Sequence, residues 1–400
     1  MGANNARSSL CYIVGHYTAS GHTAHLPRLL QELSLHTDVQ VILWSHEQIP
    51  EIPEVGAIHT LEDKSANRFL RATKFLGLVW RLRRQGCRVF FVRIQYDLAI
   101  LLAPLRWLLG LKVFLWRSGY HLTMKPHVGW TPRQIKRRFY WWFREKILFR
   151  LATRLVTRFA TGPATMIEYY RQEYGVPERK FLPLDNDVDV TALAKLHVRD
   201  DKATLRRGLG LPESAEILLY VGGVSPRKLG PGGKAMLEIA QQVLNKRPSA
   251  HIILVGPVFL PELRDTLEQS PLHERVHFTG MVPLQEVINY YLAADVCIFP
   301  CAEAGFPRVL LEAMALGCPF VTFDIGGFRD LVEADQESCI VPEGDTQHFT
   351  EQIEMILDDN EWRQKLREIG LERVKMFSTE VVARDFFDKV VSPFAGNDKG

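Results

Sequence analysis

The sequence predicts an α/β protein of two doubly wound units, each a parallel sheet with helices on both faces. Three observations carry this. Short apolar runs that end in glycine alternate with longer amphipathic stretches, as successive βαβ units require. The alternation restarts midway, at Ile217-Leu-Leu-Tyr-Val221-Gly-Gly. The 400 residues, 46% hydrophobic and 24% charged, exceed one ordinary domain and suffice for two full cores.

In order, Cys11-Tyr-Ile-Val-Gly15 reads as a buried strand and turn. Thr23 is placed to cap a helix carrying Leu26, Leu29, Leu30 and Leu33 at helical spacing. Val39 to Trp44 is the next strand. A basic amphipathic helix spans Arg68 to Arg84, and Val89 to Val92 is a strand. A further helix and strand run to Trp116, and Gly129 to Arg158 reads as one long helix. The second unit has strands at 217–221, 251–255, 276–280, 296–299 and 320–323, with a helix from Gly233 to Asn245. The join is expected between Asp189 and Ala203. The predicted organisation is thus 1–190, 191–378 and a last segment 379–400, whose helix returns to the first unit.

Several classes are disfavoured. No run reaches the ~18 apolar residues of a membrane span; the nearest, Ala99 to Trp116, is broken by Pro104, Arg106 and Lys112. The opening Met-Gly-Ala-Asn-Asn-Ala-Arg lacks the pattern of a secretory leader. The six cysteines are scattered through apolar runs without a C-x-x-C pair, so they read as reduced core thiols. No solenoid repeat or low-complexity segment is present.

The net charge of +3 conceals an asymmetry. From Arg68 to Arg158 there are 21 Lys/Arg against only Asp97 and Glu145, a local +19, which leaves −16 for the remainder. Such segregation points to an anionic partner on one face. No nucleic-acid-binding module accompanies it, so a nucleic-acid partner is not expected. Aromatic residues from Phe139 to Phe143 interleave with the charges instead.

The chemistry concentrates in Pro300-Cys-Ala-Glu303-Ala-Gly305-Phe306-Pro307-Arg308-Val309-Leu-Leu-Glu312-Ala-Met-Ala-Leu-Gly317-Cys-Pro319. A strand ends at Pro300, and a loop with Gly305 and Pro307 opens a helix near Arg308. Pro307 fits at or just before its first turn. Loop-to-helix junctions at the carboxyl edge of a parallel sheet offer unpaired N–H groups to phosphates or hydroxyls. Glu312, one turn in, can accept from the two hydroxyls of a ribose.

This segment resembles the signature of the family 4 retaining glycosyltransferases of GT-B fold. Phe306, Pro307, Leu311-Glu312-Ala313-Met314-Ala315, Gly317 and Pro319 fall in register with it. Pro183-Leu-Asp-Asn-Asp-Val-Asp189 resembles the family's hinge, and Tyr220-Val-Gly222-Gly223-Val-Ser-Pro-Arg227-Lys228 its first strand and loop of the second domain. Val276 to Gly280 and Tyr291-Leu-Ala-Ala-Asp295 match further landmarks. The resemblance implies two Rossmann-like domains facing each other across a cleft. It implies a nucleotide diphosphate sugar donor (UDP- or GDP-linked) held mainly by the second domain, retention of anomeric configuration, and no metal or other cofactor.

On this resemblance Lys228 supplies a point charge for the departing diphosphate, and the backbone at Gly305, Phe306, Pro307, Arg308 and Val309 adds aligned dipoles. Glu312 holds the ribose, Met281 lines the base, and Gly21, Gly222 and Gly223 allow close approach of the phosphates. Glu303 and His121 are the other catalytic candidates beside the sugar, with His22 and His25 competing for that polar role. Three positions depart from the family pattern: Ala304 where a glutamate is usual, with Glu303 one residue early; Gly223 where an arginine is usual, with Arg227 nearby; and Ser118 where a histidine is common.

The acceptor side falls to the first domain. Arg133, Lys136, Arg137, Arg138, Trp141, Trp142 and Arg144 form a basic, aromatic, amphipathic stretch of the kind that binds an anionic membrane surface. A saccharide or lipid-linked acceptor follows, on a cytoplasmic protein held peripherally at the inner face of the membrane. The competing readings are the same fold acting on a soluble acceptor, and a catalytically silent scaffold suggested by Gly223, Ala304 and Ser118.

Overall fold

A computed structural model describes residues 9–18, 23, 25–61, 68–119, 136, 139–140, 142–196 and 201–395. The chain divides into two compact units: residues 1–187 with 379–400, and residues 188–378.

The first unit is built on a seven-stranded, all-parallel sheet in the order β3-β2-β1-β4-β5-β6-β7. The strands are β1 (Ser9–Val14), β2 (Asp38–Leu43), β3 (Ala57–Thr60), β4 (Val89–Arg93), β5 (Lys112–Trp116), β6 (Arg158–Thr161) and β7 (Phe181–Pro183). The central strands β1 and β4 are almost wholly buried. That is why they read as continuous apolar runs rather than alternating ones.

Helix Leu26–Ser34 buries Leu26, Leu29, Leu30 and Leu33 as their spacing predicts, each worth about 1.5–3 kcal/mol relative to exposure. Thr23 does not cap it. The threonine is buried, and its hydroxyl donates to the Thr18 carbonyl at 2.8 Å and accepts from the Thr18 N–H at 2.9 Å. It closes the loop before the helix rather than satisfying the helix itself.

Helix Arg68–Arg84 lies where the sequence puts it, followed by helix Tyr96–Leu109. The single helix expected from Gly129 to Arg158 lies partly outside the described residues, and its described part ends at Leu155. A π-helical turn, Phe143–Leu148, leads into a short α-helix, Phe149–Leu155, and Arg158 already begins β6. Phe149 is fully buried against Tyr96, Phe159, Tyr170 and Tyr174, with ring centroids 5.0–5.6 Å away. Burying that ring fixes the segment's register and turns Arg144 inward.

The terminal helix Thr379–Phe386 and its π-helical continuation Phe387–Val391 complete this unit's core. Phe386 packs 4.6 Å from Phe91 and 6.1 Å from Tyr12. Arg28 pairs with Glu380 at 2.8 Å, and the Thr379 hydroxyl donates to Asp187 at 2.9 Å.

The second unit carries a six-stranded parallel sheet in the order β10-β9-β8-β11-β12-β13. Its strands are β8 (Glu216–Val221), β9 (Ala250–Val255), β10 (Val276–Gly280), β11 (Val296–Phe299), β12 (Phe320–Phe323) and β13 (Ile340–Val341). The segment where the join is expected holds helix Val190–Leu196, and helix Lys202–Gly208 follows. The latter is pinned through Asp295, whose carboxylate takes Arg206 at 2.6 Å, Lys202 at 2.9 Å and the Ile217 N–H at 2.8 Å. Helices Lys234–Lys246, Pro261–Glu268, Leu284–Ala293, Arg308–Ala315, Thr346–Asp358 and Asn360–Arg373 cover the sheet.

All six cysteines are free and buried. Burial pushes the Cys301 and Cys87 thiols up to about 11, so these two are held protonated at neutral pH. No described helix is long and apolar enough to cross a membrane.

Candidate functional site

The chemistry-bearing residues of the second unit collect at the carboxyl edge of its sheet. β8 ends at Val221, and Gly222 takes φ +148°. The turn leads to a four-residue helix, Pro226–Leu229, capped by the Ser225 hydroxyl, which accepts from the Lys228 N–H at 3.3 Å. β11 ends at Phe299, and its following loop comes alongside: the Ala302 N–H donates to the Lys228 carbonyl at 2.7 Å. The Lys228 ammonium then reaches the Glu303 carbonyl at 3.4 Å. A half-buried ammonium is thereby fixed at the sheet edge beside the Gly305–Pro307 loop.

Glycines make this approach possible. Gly256, after β9, takes φ +137°, and a Cβ there would sit 2.2 Å from the Gly222 carbonyl oxygen. The backbones of the β8 and β9 loops touch, which only glycine permits. A Cβ on Gly223 would meet nothing within 4 Å, so the space above it is open. The sequence reading did not single out Gly256, nor Gly230-Pro-Gly-Gly233, which opens the 13-residue helix Lys234–Lys246. A glycine-rich run before a helix was the available signal.

Helix Arg308–Ala315 starts from Pro307 as its N-cap, with Gly305 accepting from the Gly327 N–H at 3.0 Å. Phe306 is buried with its ring edge-on to Phe377, 6.2 Å away. It anchors the loop through packing. Glu312 accepts from the Tyr291 hydroxyl at 3.2 Å, and the same hydroxyl lies 3.3 Å from the Val309 carbonyl. Burial pushes the Glu312 carboxyl above the ordinary glutamate range; the Arg308 charge and the Tyr291 hydrogen bond oppose that rise. The Tyr-x-x-Ala-Asp landmark is thus a support structure, with Tyr291 orienting Glu312 and Asp295 holding the helix behind.

The displaced residues pair with each other. Ala304 is buried and carries no polar group, whereas the Glu303 carboxylate lies 3.4 Å from the Arg227 guanidinium. Met281, after Gly280 at φ +69°, is 70% exposed at the end of β10. Gly21, His22 and His121 lie outside the described residues. His25 is in the first unit, with its ring nitrogen 3.2 Å from Arg93 and 3.6 Å from Asp187. That buried network ties the start of helix Leu26–Ser34 to the end of β4 and to Asp187.

Of the basic aromatic stretch, Arg133, Arg137, Arg138 and Trp141 lie outside the described residues. Lys136 and Trp142 are exposed. Arg144 is half-buried, and its guanidinium donates to the Tyr96 and Tyr140 hydroxyls, both at 3.1 Å. The second unit also holds a cavity of about 570 Å³, lined by Lys202, Asp295, Arg363 and Arg367 among others. It opens where β11 and β12 begin, at the opposite edge from Lys228 and Glu303.

A parallel sheet presenting an ammonium, a glycine-lined turn and a supported carboxylate at its carboxyl edge is a Rossmann-like α/β unit of the GT-B class. Residues 215–359 match the family model described as glycosyl transferases group 1. The second unit therefore contains a group 1 glycosyltransferase domain, in agreement with the resemblance carried by Phe306 to Pro319. The chain is 28% identical over 193 residues to D-inositol 3-phosphate glycosyltransferase of Corynebacterium efficiens, covering 46% of this chain and 45% of that protein. It spans about half the length of the curated relatives it matches.

Two solved structures share the fold. Sucrose-phosphate synthase from Thermosynechococcus elongatus matches with a TM-score of 0.72 at 20% identity, over 96% of this chain and 98% of that one. Anabaena Alr3699/HepE in complex with UDP and glucose matches with a TM-score of 0.71 at 15% identity, over 95% and 98%.

Were Glu312 to hold a ribose, its ionised form would be the better acceptor for the two hydroxyls. Nucleotide affinity should therefore fall on acidification, with a midpoint above the ordinary glutamate value because the carboxyl is raised. Glu312→Gln should weaken uridine or guanosine diphosphate about tenfold or more and abolish that acid limb. Tyr291→Phe removes a bond that favours the carboxylate, so it should move the midpoint further up. Calorimetric titrations across pH check this; an unchanged profile in Glu312→Gln would remove the carboxylate from the site.

Proposed function

We propose that the protein is a glycosyltransferase that moves a sugar from a nucleotide diphosphate sugar to a saccharide or lipid-linked acceptor, with retention of anomeric configuration. One observation carries the reading: Lys228 and the Tyr291-supported Glu312 sit at one sheet edge, inside the segment that matches the group 1 family. As the anomeric bond breaks, negative charge grows on the leaving diphosphate. A fixed ammonium and the N-terminal dipoles of helix Arg308–Ala315 oppose that charge without reorganising. Glu312 would hold the ribose, Met281 the base, and the open space above Gly223 would admit the phosphates. Glu303, paired with Arg227, is the polar group beside the transferred sugar. The reading assigns the diphosphate to these cations and calls for no metal.

A screen of UDP- and GDP-linked sugars for donor hydrolysis or transfer tests it. At least one should be turned over, and Lys228→Ala should lower that rate by about a hundredfold. Nucleotide binding without turnover of any sugar would favour a silent scaffold. No nucleotide binding at all would overturn the reading.

The lipid-linked acceptor and a peripheral position at the inner membrane face belong to the same proposal. Phe139, Trp142, Phe143, Ile147 and Leu151 are 40–63% exposed, as are Phe69, Leu70, Trp80, Trp107 and Leu108 on the two preceding helices, at 47–76%. Arg84 lies over Trp80 and Arg106 over Trp107, each 5.8 Å from the ring. Aromatics flanked by cations suit a headgroup layer. The soluble-acceptor reading is favoured by the relative named for inositol 3-phosphate. Co-sedimentation with anionic phosphatidylglycerol vesicles separates the two. Salt-sensitive binding, reduced in Trp142→Ala, supports the membrane; no binding at low salt supports the soluble acceptor.

A further inference from the structure

The second unit gathers three cations around one carboxylate at the edge of its sheet opposite Lys228. Lys202, Arg363, Arg367 and Asp295 line the cavity of about 570 Å³ there, the size of a small-molecule site. Helices Lys202–Gly208 and Asn360–Arg373 bound it, together with the ends of helices Leu284–Ala293 and Arg308–Ala315. Leu205, Leu292, Leu316, Pro319 and Tyr291 give it an apolar wall.

Helices that end at this edge direct their last carbonyls to it and attract cations. Two of the local cations are used in that way. Lys202 donates to the Ala294 carbonyl at 2.6 Å, and the buried Arg206 to the Ala293 carbonyl at 3.1 Å. The same two hold Asp295, at 2.9 and 2.6 Å, and the Ile217 N–H donates to that carboxylate at 2.8 Å. Both Asp295 oxygens are therefore occupied by charged or N–H donors, and the carboxylate brings little uncompensated charge into the cavity.

Arg363 is placed differently. It is half-buried, and its partners are neutral: the Ile356 and Leu357 carbonyls at 3.4 and 3.3 Å, long for hydrogen bonds, and the Asn360 side-chain oxygen. Arg367 follows four residues later, on the same face of the helix, and lines the same cavity. A guanidinium partly withdrawn from water and offered only neutral acceptors is stabilised by an anion that completes its fork.

We propose that this cavity binds a small phosphate monoester, with the phosphate against Arg363, Arg367 and Lys202 and the organic body against the apolar wall. Guanidinium forks match phosphate oxygens two at a time. With Asp295 already compensated by Lys202 and Arg206, two arginines suit a doubly charged group better than a single carboxylate. A neutral molecule would leave Arg363 with neutral acceptors alone, and a bare phosphate would leave the wall unfilled. The proposal does not rest on the glycosyltransferase reading; it needs only these side chains.

Calorimetric titration of the full chain with phenyl phosphate tests it, with inorganic phosphate and benzyl alcohol as the two partial probes. Phenyl phosphate should bind with a Kd on the order of 0.1–1 mM, about fivefold or more tighter than either partial probe. Its affinity should fall about tenfold between roughly 50 and 500 mM salt. Arg363→Gln and Arg367→Gln should each weaken it about tenfold. Lys365→Gln removes a charge from the same helix outside the cavity and should change it by less than about twofold. Should Arg363→Gln fail to fold, having lost its bonds to Ile356 and Leu357, Arg367→Gln carries the test. No binding, binding unchanged by the arginine substitutions, binding that ignores salt, or binding matched by either partial probe would each overturn the proposal.

Discussion

The hydrogen bond from the buried Tyr291 hydroxyl to Glu312 is the interaction on which the proposed donor site depends. Burial disfavours a carboxylate, and without a partner Glu312 would be driven towards its neutral form, unable to accept from two hydroxyls at once. Tyr291 sits at the end of helix Leu284–Ala293 and is itself fixed because Asp295, four residues on, ties that end of the helix to Arg206 and to β8. The same shift has a folding consequence. A carboxyl raised in the folded state makes the second unit slightly less stable as pH climbs from the ordinary glutamate value through the raised one.

The two units solve the edge of a parallel sheet differently. In the second, glycines strip the carboxyl edge of side chains, so backbone and one ammonium are presented to whatever binds. In the first, the corresponding edge is furnished with aromatic rings and paired charges around a strained turn at Ile94. A bare edge suits a diphosphate, which is read by N–H groups and point charges.

Much of the strand layout was legible because buried parallel strands read as apolar runs closed by glycine: β1, β8, β9 and β11 fall within a residue or two of their expected ranges. β3 was not, since Ala-Ile-His-Thr is short, half-exposed and carries no such run. β6 was absorbed into an expected helix because Arg158-Phe-Ala-Thr continues the basic aromatic composition before it. Only the packing of Phe149 against four aromatic rings shows where that helix ends. Thr23 had the right residue type for a cap, but a local loop bond to Thr18, five residues back, claimed its hydroxyl. In the site, Lys228, Glu312 and the Gly305–Pro307 loop were visible as a spaced motif. The pairs Tyr291–Glu312, Arg227–Glu303 and Arg117–Glu145 join residues 21, 76 and 28 apart, and linear spacing carries no trace of them.

The most direct measurement is a crystal structure of the protein with uridine or guanosine diphosphate. The account places both ribose hydroxyls about 3 Å from the Glu312 carboxylate and the diphosphate against Lys228 and the Gly222–Gly223 turn. Nucleotide density bound away from these residues, or a Glu312 side chain making no contact with it, would contradict the account.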